Sequence, residues 1–391
     1  MRSGIYIGKL FGIKIFIDWS WIFIFLLVTW SLAAGVFPSL HPDWGTGMLV
    51  GLGLVASILF FASVLAHEFA HSFVARARGM PVRRITLFIF GGVSNIEKEP
   101  QSPGNEFWMA LVGPLTSLAL GILFLGIGFA NENGTLPYTL QGMRQMDPIA
   151  TLFFWLGPIN LILTAFNMMP GFPLDGGRVL RSILWKISGS MRSATRWASA
   201  LGQAIAWAFI VAGIAMAFGV QIPFFGTGLI NGIWLAFIGW FLNNAAVQSY
   251  RQVVIDDILE GIQVNRLMHR SVPTVSPDLM VSQFVDEYVM GHGEQSFPVL
   301  LGDQLVGMIS VQDVRKVARP QWESVSIKEI MTPRAKLEVI NPEEDAAEAL
   351  HKLSERDIRQ VPVVESGHLV GLLRRQDIIR WLQLQNQATA S

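Results

Sequence analysis

Hydrophobic residues fall into six long runs in the first two-thirds of the chain, and most polar residues lie between the runs. Each run is long enough to cross about 30 Å of hydrocarbon as a helix that rises about 1.5 Å per residue. The pattern therefore predicts six membrane-spanning helices, at residues 17–37, 48–75, 107–130, 149–171, 198–219 and 226–247.

Two shorter segments have β-type patterns. Residues 5–18 alternate loosely and predict a short strand or hairpin before the first span. Residues 84–96 are rich in β-forming side chains, contain the turn signal Gly91-Gly92 and are too short to cross a membrane. Because β structure at membrane depth must be buried in protein or line a wet cavity, we predict a re-entrant hairpin beside an active site.

The pattern changes near residue 250, where mixed polar sequence and short β-branched runs begin. We predict an α-helical polytopic membrane domain at 1–250 and a soluble α+β domain at 251–391. The second domain contains an internal repeat, since FPVL at 297–300 and GMIS at 307–310 return 64 residues later as VPVV and GLLR. The two copies occupy about 262–320 and 324–386.

Composition supports the membrane class, because 51% of the 391 residues are hydrophobic and only 15% are charged. Charged residues make up about a quarter of ordinary soluble proteins. A net charge of zero gives no electrostatic case for a nucleic-acid partner. The absence of cysteine excludes disulfides and thiolate metal sites.

Lys and Arg collect on one side of the predicted spans, whereas the alternate connections nearly lack them. Such a bias marks the cytoplasmic side. We therefore expect a multi-pass protein of the cell membrane with both termini and the C-terminal domain in the cytoplasm. The flanking residues are Lys9, Lys14, Arg76, Arg78, Arg83, Arg84, Arg178, Arg181, Lys186, Arg192 and Arg196.

The second run contains the sequence HEFAH at residues 67–71. His67 and His71 are four residues apart, so they lie on one helix face and can share a zinc ion, with Glu68 as general base. Ionisable side chains inside a span are costly and mark functional sites. The alternative is a pair of buried histidines with a paired glutamate.

A catalytic zinc ion needs a third protein ligand and one open position. Asp175 is the candidate, because prolines and glycines in NMMPGFPLDGG (167–177) break the fourth run and allow a carboxylate to turn inward. The alternative is a helix-capping aspartate. Asn160 and Asn167 share one face of the fourth run, where either can stabilise an oxyanion or bond to a neighbouring helix.

HEFAH together with FNMMPGFPLDGGR resembles the site-2 protease family of intramembrane zinc metalloproteases. The resemblance covers about residues 1–250 and includes FGGVSN in the hairpin. It implies one zinc ion per chain, held by His67, His71 and Asp175, with Glu68 as the catalytic base. It also implies regulated intramembrane proteolysis, in which transmembrane segments of single-span membrane proteins are cleaved within the lipid bilayer.

The two C-terminal copies resemble a tandem pair of CBS domains, a family that binds adenine nucleotides such as ATP, ADP and AMP. The family's nucleotide contacts are a Ser or Thr and an Asp three residues apart, which Ser310 and Asp313 match. The second copy keeps Asp377 but has Arg374 in place of the hydroxyl residue, which leaves the second site open to question. The alternative is a purely structural pair or one that forms a homodimer.

Three other functions fit parts of the pattern. A CBS-regulated ion channel or transporter would need polar residues along several spans, whereas here they gather at one motif. A catalytically inactive membrane-binding homologue is disfavoured by the intact Glu68. A metalloprotease of another type would take a glutamate as third ligand, and the candidates Glu97 and Glu99 lie beyond the hairpin.

Overall fold

The chain forms two compact units, Met1–Arg251 and Gln252–Ser391. A computed structural model describes residues 4–96, 100–132, 140–223, 225–290, 295–355 and 358–388.

The first unit is built from helices that follow the hydrophobic runs. In chain order the helices are α1 (Trp19–Ser31), α2 (Phe37–Leu40), α3 (Thr46–Ala77), α4 (Pro103–Asn131), α5 (Leu140–Gln145), α6 (Pro148–Asn167), α7 (Asp175–Ser188), α8 (Met191–Ala217) and α9 (Leu229–Leu259). The last residues of α9 lie beyond Arg251, the end of the first unit. A π-helical turn, Leu32–Val36, joins α1 to α2.

Among the described residues, six helical segments are long and apolar enough to cross a membrane, which agrees with the predicted number of spans. They are Trp19–Leu40, Thr46–Ala77, Pro103–Asn131, Pro148–Asn167, Met191–Ala217 and Leu229–Leu259.

The fourth span ends at Asn167, four residues earlier than predicted. The predicted boundary was wrong because Pro170 and Pro173 lack backbone N–H groups and cannot continue a helix. The chain then starts a separate helix, α7, at Asp175. This helix was not predicted, since its mixed polar sequence is too short to stand out as a span.

The two predicted β segments form a single four-stranded sheet of order β1-β2-β3-β4. The N-terminal segment contributes β1 (Gly4–Leu10) and β2 (Ile13–Asp18) as an antiparallel hairpin. The second segment contributes β3 (Val82–Phe88) and β4 (Gly91–Ile96), also antiparallel. The hairpins join through parallel pairing of β2 with β3, which leaves β1 and β4 at the edges.

The sheet packs on the helix that carries the HEFAH motif. Ile13 of β2 and Ile85 of β3 are fully buried, in one apolar cluster with Phe69 of α3 and Met109 of α4. Within a membrane, where lipid is as apolar as these side chains, close van der Waals packing stabilises such a cluster. The cluster therefore fixes β3 beside the middle of the motif, and β4 follows through its pairing with β3.

The second unit contains two similar hairpins. They are β5 (Ser296–Leu301) with β6 (Gln304–Ser310), and β8 (Gln360–Glu365) with β9 (His368–Arg374). The sheet order is β5-β6-β9-β8, and β7 (Thr332–Pro333) pairs with β6. The register irregularity at Val299/Leu300 recurs at Val363/Val364, so the sequence repeat is also a structural repeat.

Helices cover this sheet and bury two apolar clusters. The helices are α10 (Val281–Phe284), α11 (Val311–Val314), α12 (Ile327–Ile330), α13 (Ala346–Glu355) and α14 (Arg375–Ala388), with short turns at Val264–Arg266, Val285–Val289, Arg319–Gln321 and Arg334–Lys336.

Glycines allow the broken segment before α7 to pack directly on backbone. A Cβ atom at Gly202 of α8 would overlap with the backbone of Phe172, whose N–H donates to the carbonyl of Ala198 (3.2 Å). A Cβ at Gly176 would overlap with the backbone of Met168, and one at Gly177 with the backbone around Gly171. Small residues here set the path of the chain into Asp175.

We expect Gly202→Ala to lower the apparent Tm of the purified protein in detergent, because overpacking costs about 1–3 kcal/mol. Gly126→Ala in α4 is the matched control, since a Cβ there meets nothing within 4 Å. It should leave the Tm unchanged or raise it, because Ala is favoured over Gly in helices by about 1 kcal/mol. Equal Tm values for the two variants would contradict the packing described for α8.

Candidate functional site

Three buried or half-buried ligand atoms from α3 and α7 converge on one point. Nε2 of His67 lies 3.0 Å from Nε2 of His71 and 3.0 Å from Oδ2 of Asp175. Nε2 of His71 lies 3.2 Å from the same carboxylate oxygen. The ligands of a tetrahedral zinc ion, with bonds of about 2.0–2.1 Å, are separated by about 3.3 Å, so the triangle matches zinc in size.

Hydrogen bonds on the far side of each ring decide which nitrogen faces this point. Nδ1 of His71 lies 2.6 Å from the carbonyl oxygen of Met109, which can only accept, so Nδ1 carries the proton. Nδ1 of His67 lies 2.9 Å from Oγ of Ser117, which can accept in the same way. Such outer partners are typical of metal-ligating histidines and leave the Nε2 lone pairs free.

The resulting cluster contains three acceptors that face one another. Without a cation or added protons between them, their lone pairs repel, and burial at 5% exposure for each histidine keeps water from relieving the repulsion. Two imidazole nitrogens and a carboxylate oxygen are a donor set of catalytic zinc sites. His67, His71 and Asp175 therefore fit a zinc ion in geometry and in chemistry.

Gly113 lets the backbone of α4 pass directly against the cluster. A Cβ atom at this position would overlap with the ring nitrogens of both His67 and His71. Only glycine can therefore bring α4 this close to the two rings.

Glu68 is oriented from the sheet side of α3. Oγ of Ser94 in β4 donates to Oε2 of Glu68 (2.8 Å) and lies 3.2 Å from Oγ of Ser72. Gly92, two residues before Ser94 and on the same strand face, would overlap with the glutamate if it carried a Cβ. In the described part of the chain, Oε1 of Glu68 has no hydrogen-bond partner, so this oxygen is available to a reactant.

Ser94 was not identified from the sequence. The sequence feature that could have pointed to it is the spacing of Gly92 and Ser94 in FGGVSN, because alternate residues of a strand share one face. Which side chain that face would meet depends on tertiary packing, which spacing does not reveal.

Asp175 reaches the histidines as the first residue of α7. The N-cap position belongs to Leu174, and the Asp175 carboxylate contacts the two histidines instead of capping the helix. This arrangement disfavours the interpretation of Asp175 as a simple capping residue.

The two asparagines bond within their own helix. Nδ2 of Asn160 donates to the carbonyl of Leu156 (2.8 Å), and Nδ2 of Asn167 donates to that of Leu163 (3.0 Å). Neither makes a hydrogen bond to the histidines, Asp175 or Glu68 within the described residues. Their assignment as oxyanion donors stays a prediction, and the other acidic candidates, Glu97 and Glu99, lie outside the described residues.

In the second unit, the predicted nucleotide contacts form two similar but unequal clusters. Oγ of Ser310 donates to Oδ2 of Asp313 (2.6 Å), and Lys316 pairs with the other oxygen (2.7 Å). In the second copy, Nε of Arg374 donates to Asp377 (2.9 Å), which also contacts His269 (3.1 Å). Burial alone would raise the pKa of Asp377, but hydrogen bonds from Arg374 and His269 hold this pKa below its usual value.

Family models match both units. The model of Peptidase family M50 matches residues 55–145 and 135–212. The CBS domain model matches residues 264–319 and 327–384.

Curated relatives align with almost the whole chain. One from Synechocystis sp. is 34% identical over 98% of this chain and 96% of the relative. One from Mycobacterium tuberculosis is 32% identical over 99% and 95%. Both bear the name "putative zinc metalloprotease", and a protein of Methanocaldococcus jannaschii named zinc metalloprotease is 29% identical over 84% and 85%.

Among solved structures, the site-2 protease from Methanocaldococcus jannaschii is 28% identical, with a TM-score of 0.42, over 64% of this chain and 96% of its own. The full-length relatives and the two family models confirm the resemblance found in the sequence. The chain therefore belongs to peptidase family M50, the site-2 proteases, and is a multi-pass membrane zinc metalloprotease that carries a pair of CBS domains.

Proposed function

We propose that His67, His71 and Asp175 hold the catalytic zinc ion and that Glu68 is the general base in the cleavage of transmembrane segments. The observation that carries this proposal is the convergence of three acceptor atoms within 3.0–3.2 Å of one another. The substrates are single-span membrane proteins, as the family implies. A complete donor set for zinc next to the Glu68 carboxylate supports a hydrolase over an ion channel or transporter.

In the proposed reaction, Glu68 transfers a proton from the attacking water and Ser94 orients Glu68. A bound zinc ion supplies Lewis acidity toward water and a peptide carbonyl. Glu68 takes a proton from the water through Oε1 while Ser94 holds Oε2, and the water oxygen bonds to the scissile carbonyl carbon. Glu68 then gives that proton to the leaving nitrogen as the C–N bond breaks. This role for an intact Glu68 is the reason to prefer an active enzyme over an inactive homologue.

We infer that the substrate binds as an added strand on β4. A peptide bond in a helix is already hydrogen-bonded and must be unwound before attack. β4 is an edge strand of the described sheet, and its Val93 side chain is 53% exposed. Strand addition supplies backbone hydrogen bonds to an unwound segment, next to the strand residues that hold Glu68.

We assign the protease domain to residues 1–250 and the CBS domains to about 262–320 and 324–386, with both termini in the cytoplasm. The bias of Lys and Arg supports this orientation. Because His71 lies five residues before Arg76, this orientation puts His71 about 7 Å inside the cytoplasmic boundary.

We propose that the CBS pair binds an adenine nucleotide chiefly through Ser310 and Asp313. The second copy supports an unequal pair, because it places the Arg374 guanidinium where the first copy has the Ser310 hydroxyl beside its aspartate. Arg374 then serves as a phosphate contact, for which a guanidinium is well suited. A purely structural or dimerising pair is the alternative, and titration with ATP, ADP and AMP decides between the two.

Glu68→Gln should reduce cleavage of a single-span substrate at least about 100-fold, which is the lower range for a lost general base. The zinc content should stay near that of the wild type, because the amide does not remove a ligand. Cleavage is measured in detergent with and without a zinc chelator, and the exposed Glu323→Gln is the control. Retained turnover in Glu68→Gln would remove Glu68 from the mechanism.

Asp175→Asn should weaken zinc binding at least about tenfold, since a neutral amide is a poorer zinc ligand than a carboxylate. Metal analysis after dialysis against buffered zinc measures the loss. Asp147→Asn is the matched control, because Asp147 caps α6 and an asparagine keeps that role. Wild-type zinc content in Asp175→Asn would exclude Asp175 from the ligand set.

Strand addition predicts a specific cross-link. The chain has no cysteine, so Val93→Cys in a Glu68→Gln background introduces a single thiol. With a mild oxidant added to accept the two electrons, this thiol should form a disulfide with a substrate that has one cysteine near the cleaved bond. Tyr6→Cys on β1, the opposite edge and equally exposed at 54%, should not. Equal cross-linking at both positions would argue against binding along β4.

Calorimetric titration of the full chain should detect ATP, ADP or AMP binding. Asp313→Asn should weaken it at least about tenfold, as expected for a lost charged hydrogen bond of about 1.5–3 kcal/mol. Asp377→Asn should have a smaller effect, and the exposed turn variant Asp303→Asn should have none. No binding of any of the three nucleotides to the wild type would favour a structural pair.

A further inference from the structure

An ion pair that the proposed mechanism does not use lies fully inside the membrane domain. Nε of Arg181 in α7 donates to Oε1 of Glu106 in α4 (2.6 Å), and a terminal guanidinium nitrogen contacts the same oxygen. Glu106 is 0% and Arg181 3% exposed. The guanidinium also lies 5.1 Å from the ring centre of Phe172, in the segment that leads into α7.

Glu106 belongs to a row of residues on α4 that touches the metal centre. Glu106, Met109, Gly113 and Ser117 are spaced by three or four residues, so they share one helix face. All four are buried. Met109 and Ser117 orient the two histidine rings, and Gly113 makes room for them. We call these four residues the α4 row.

Arg181 belongs to the helix that begins with Asp175. The two residues are six positions apart, which corresponds to about 9 Å along the helix axis. The α4 row therefore holds α3 through two histidine bonds and α7 through one ion pair. The three proposed ligands come from α3 and α7, and both helices are registered on the same face of α4.

Stability alone does not account for a buried pair at this place. Removing charges from water is costly, and apolar side chains of similar size often replace a buried ion pair without loss of stability. A pair with a defined donor and acceptor geometry does, however, set the rotation and height of one helix against another more precisely than apolar contacts do.

We propose that Glu106 and Arg181 are positioning residues that fix α7 on the α4 row, so that the Asp175 carboxylate meets the two Nε2 atoms. The inference rests on the proposed role of Asp175 as a ligand. It assigns no contact with substrate or reacting atoms to either residue. It predicts that zinc affinity, and not only stability, depends on the pair.

Zinc affinity and Tm of the full-length protein, by chelator competition and thermal unfolding, test this inference. Glu106→Gln and Arg181→Met should each weaken zinc binding at least about tenfold and lower the Tm, because each leaves a buried partner unmatched. The double variant Glu106→Met/Arg181→Met should regain a Tm near the wild type but keep the weak zinc binding. Lys186→Met, which removes an exposed charge from the same helix, should change neither property.

Two outcomes separate this inference from the proposed function. If Asp175→Asn loses zinc but the double variant binds it like the wild type, the pair has no positioning role and the inference is wrong. If Asp175→Asn itself binds zinc like the wild type, the ligand assignment fails, and the inference fails with it.

Discussion

The mutual repulsion of three acceptor atoms, two imidazole nitrogens and one carboxylate oxygen within 3.0–3.2 Å, is the constraint on which the membrane domain depends. Such a cluster is stable only around a cation or extra protons. The protein brings it together from helices far apart in sequence and surrounds it with backbone that glycines allow to approach closely. The fold thus forces lone pairs into a small, poorly hydrated space, which is what a zinc centre requires.

One face of α4 and the strand β4 position the side chains of this centre. The α4 row orients both histidine rings and holds α7, whereas β4 holds Glu68 through Ser94. Under the proposed function, β4 would also receive the substrate along its free edge. The same strand would then contact both the general base and the substrate. Backbone pairing with the substrate would fix β4, and with it Ser94, so substrate binding would align Glu68 with the bond to be cleaved.

Much of this arrangement follows from local sequence. Hydrophobic runs longer than a bilayer requires gave all six spans, and the His67 to His71 spacing placed two nitrogens on one face. The broken helix before Asp175 was visible because proline and glycine have fixed physical consequences. The internal repeat of the second unit returned as two hairpins with the same irregularity.

Several features that depend on tertiary contacts were not predicted. The parallel pairing of β2 with β3 joins segments more than sixty residues apart, and the sequence pattern of a strand does not indicate which strand it pairs with. Ser94 and the Glu106–Arg181 pair are ordinary polar residues until packing brings them against Glu68 and each other. α7 was missed because its amphipathic sequence is too short and too polar to stand out as a span.

The coordination of zinc in the purified full-length protein tests the central claim most directly. X-ray absorption at the zinc edge should show a first shell of nitrogen and oxygen at about 2.0–2.1 Å, with the scattering pattern of two imidazole rings. The chain has no cysteine to supply a sulfur ligand. A shell with no imidazole, or with three or more, would contradict a centre built from His67, His71 and Asp175.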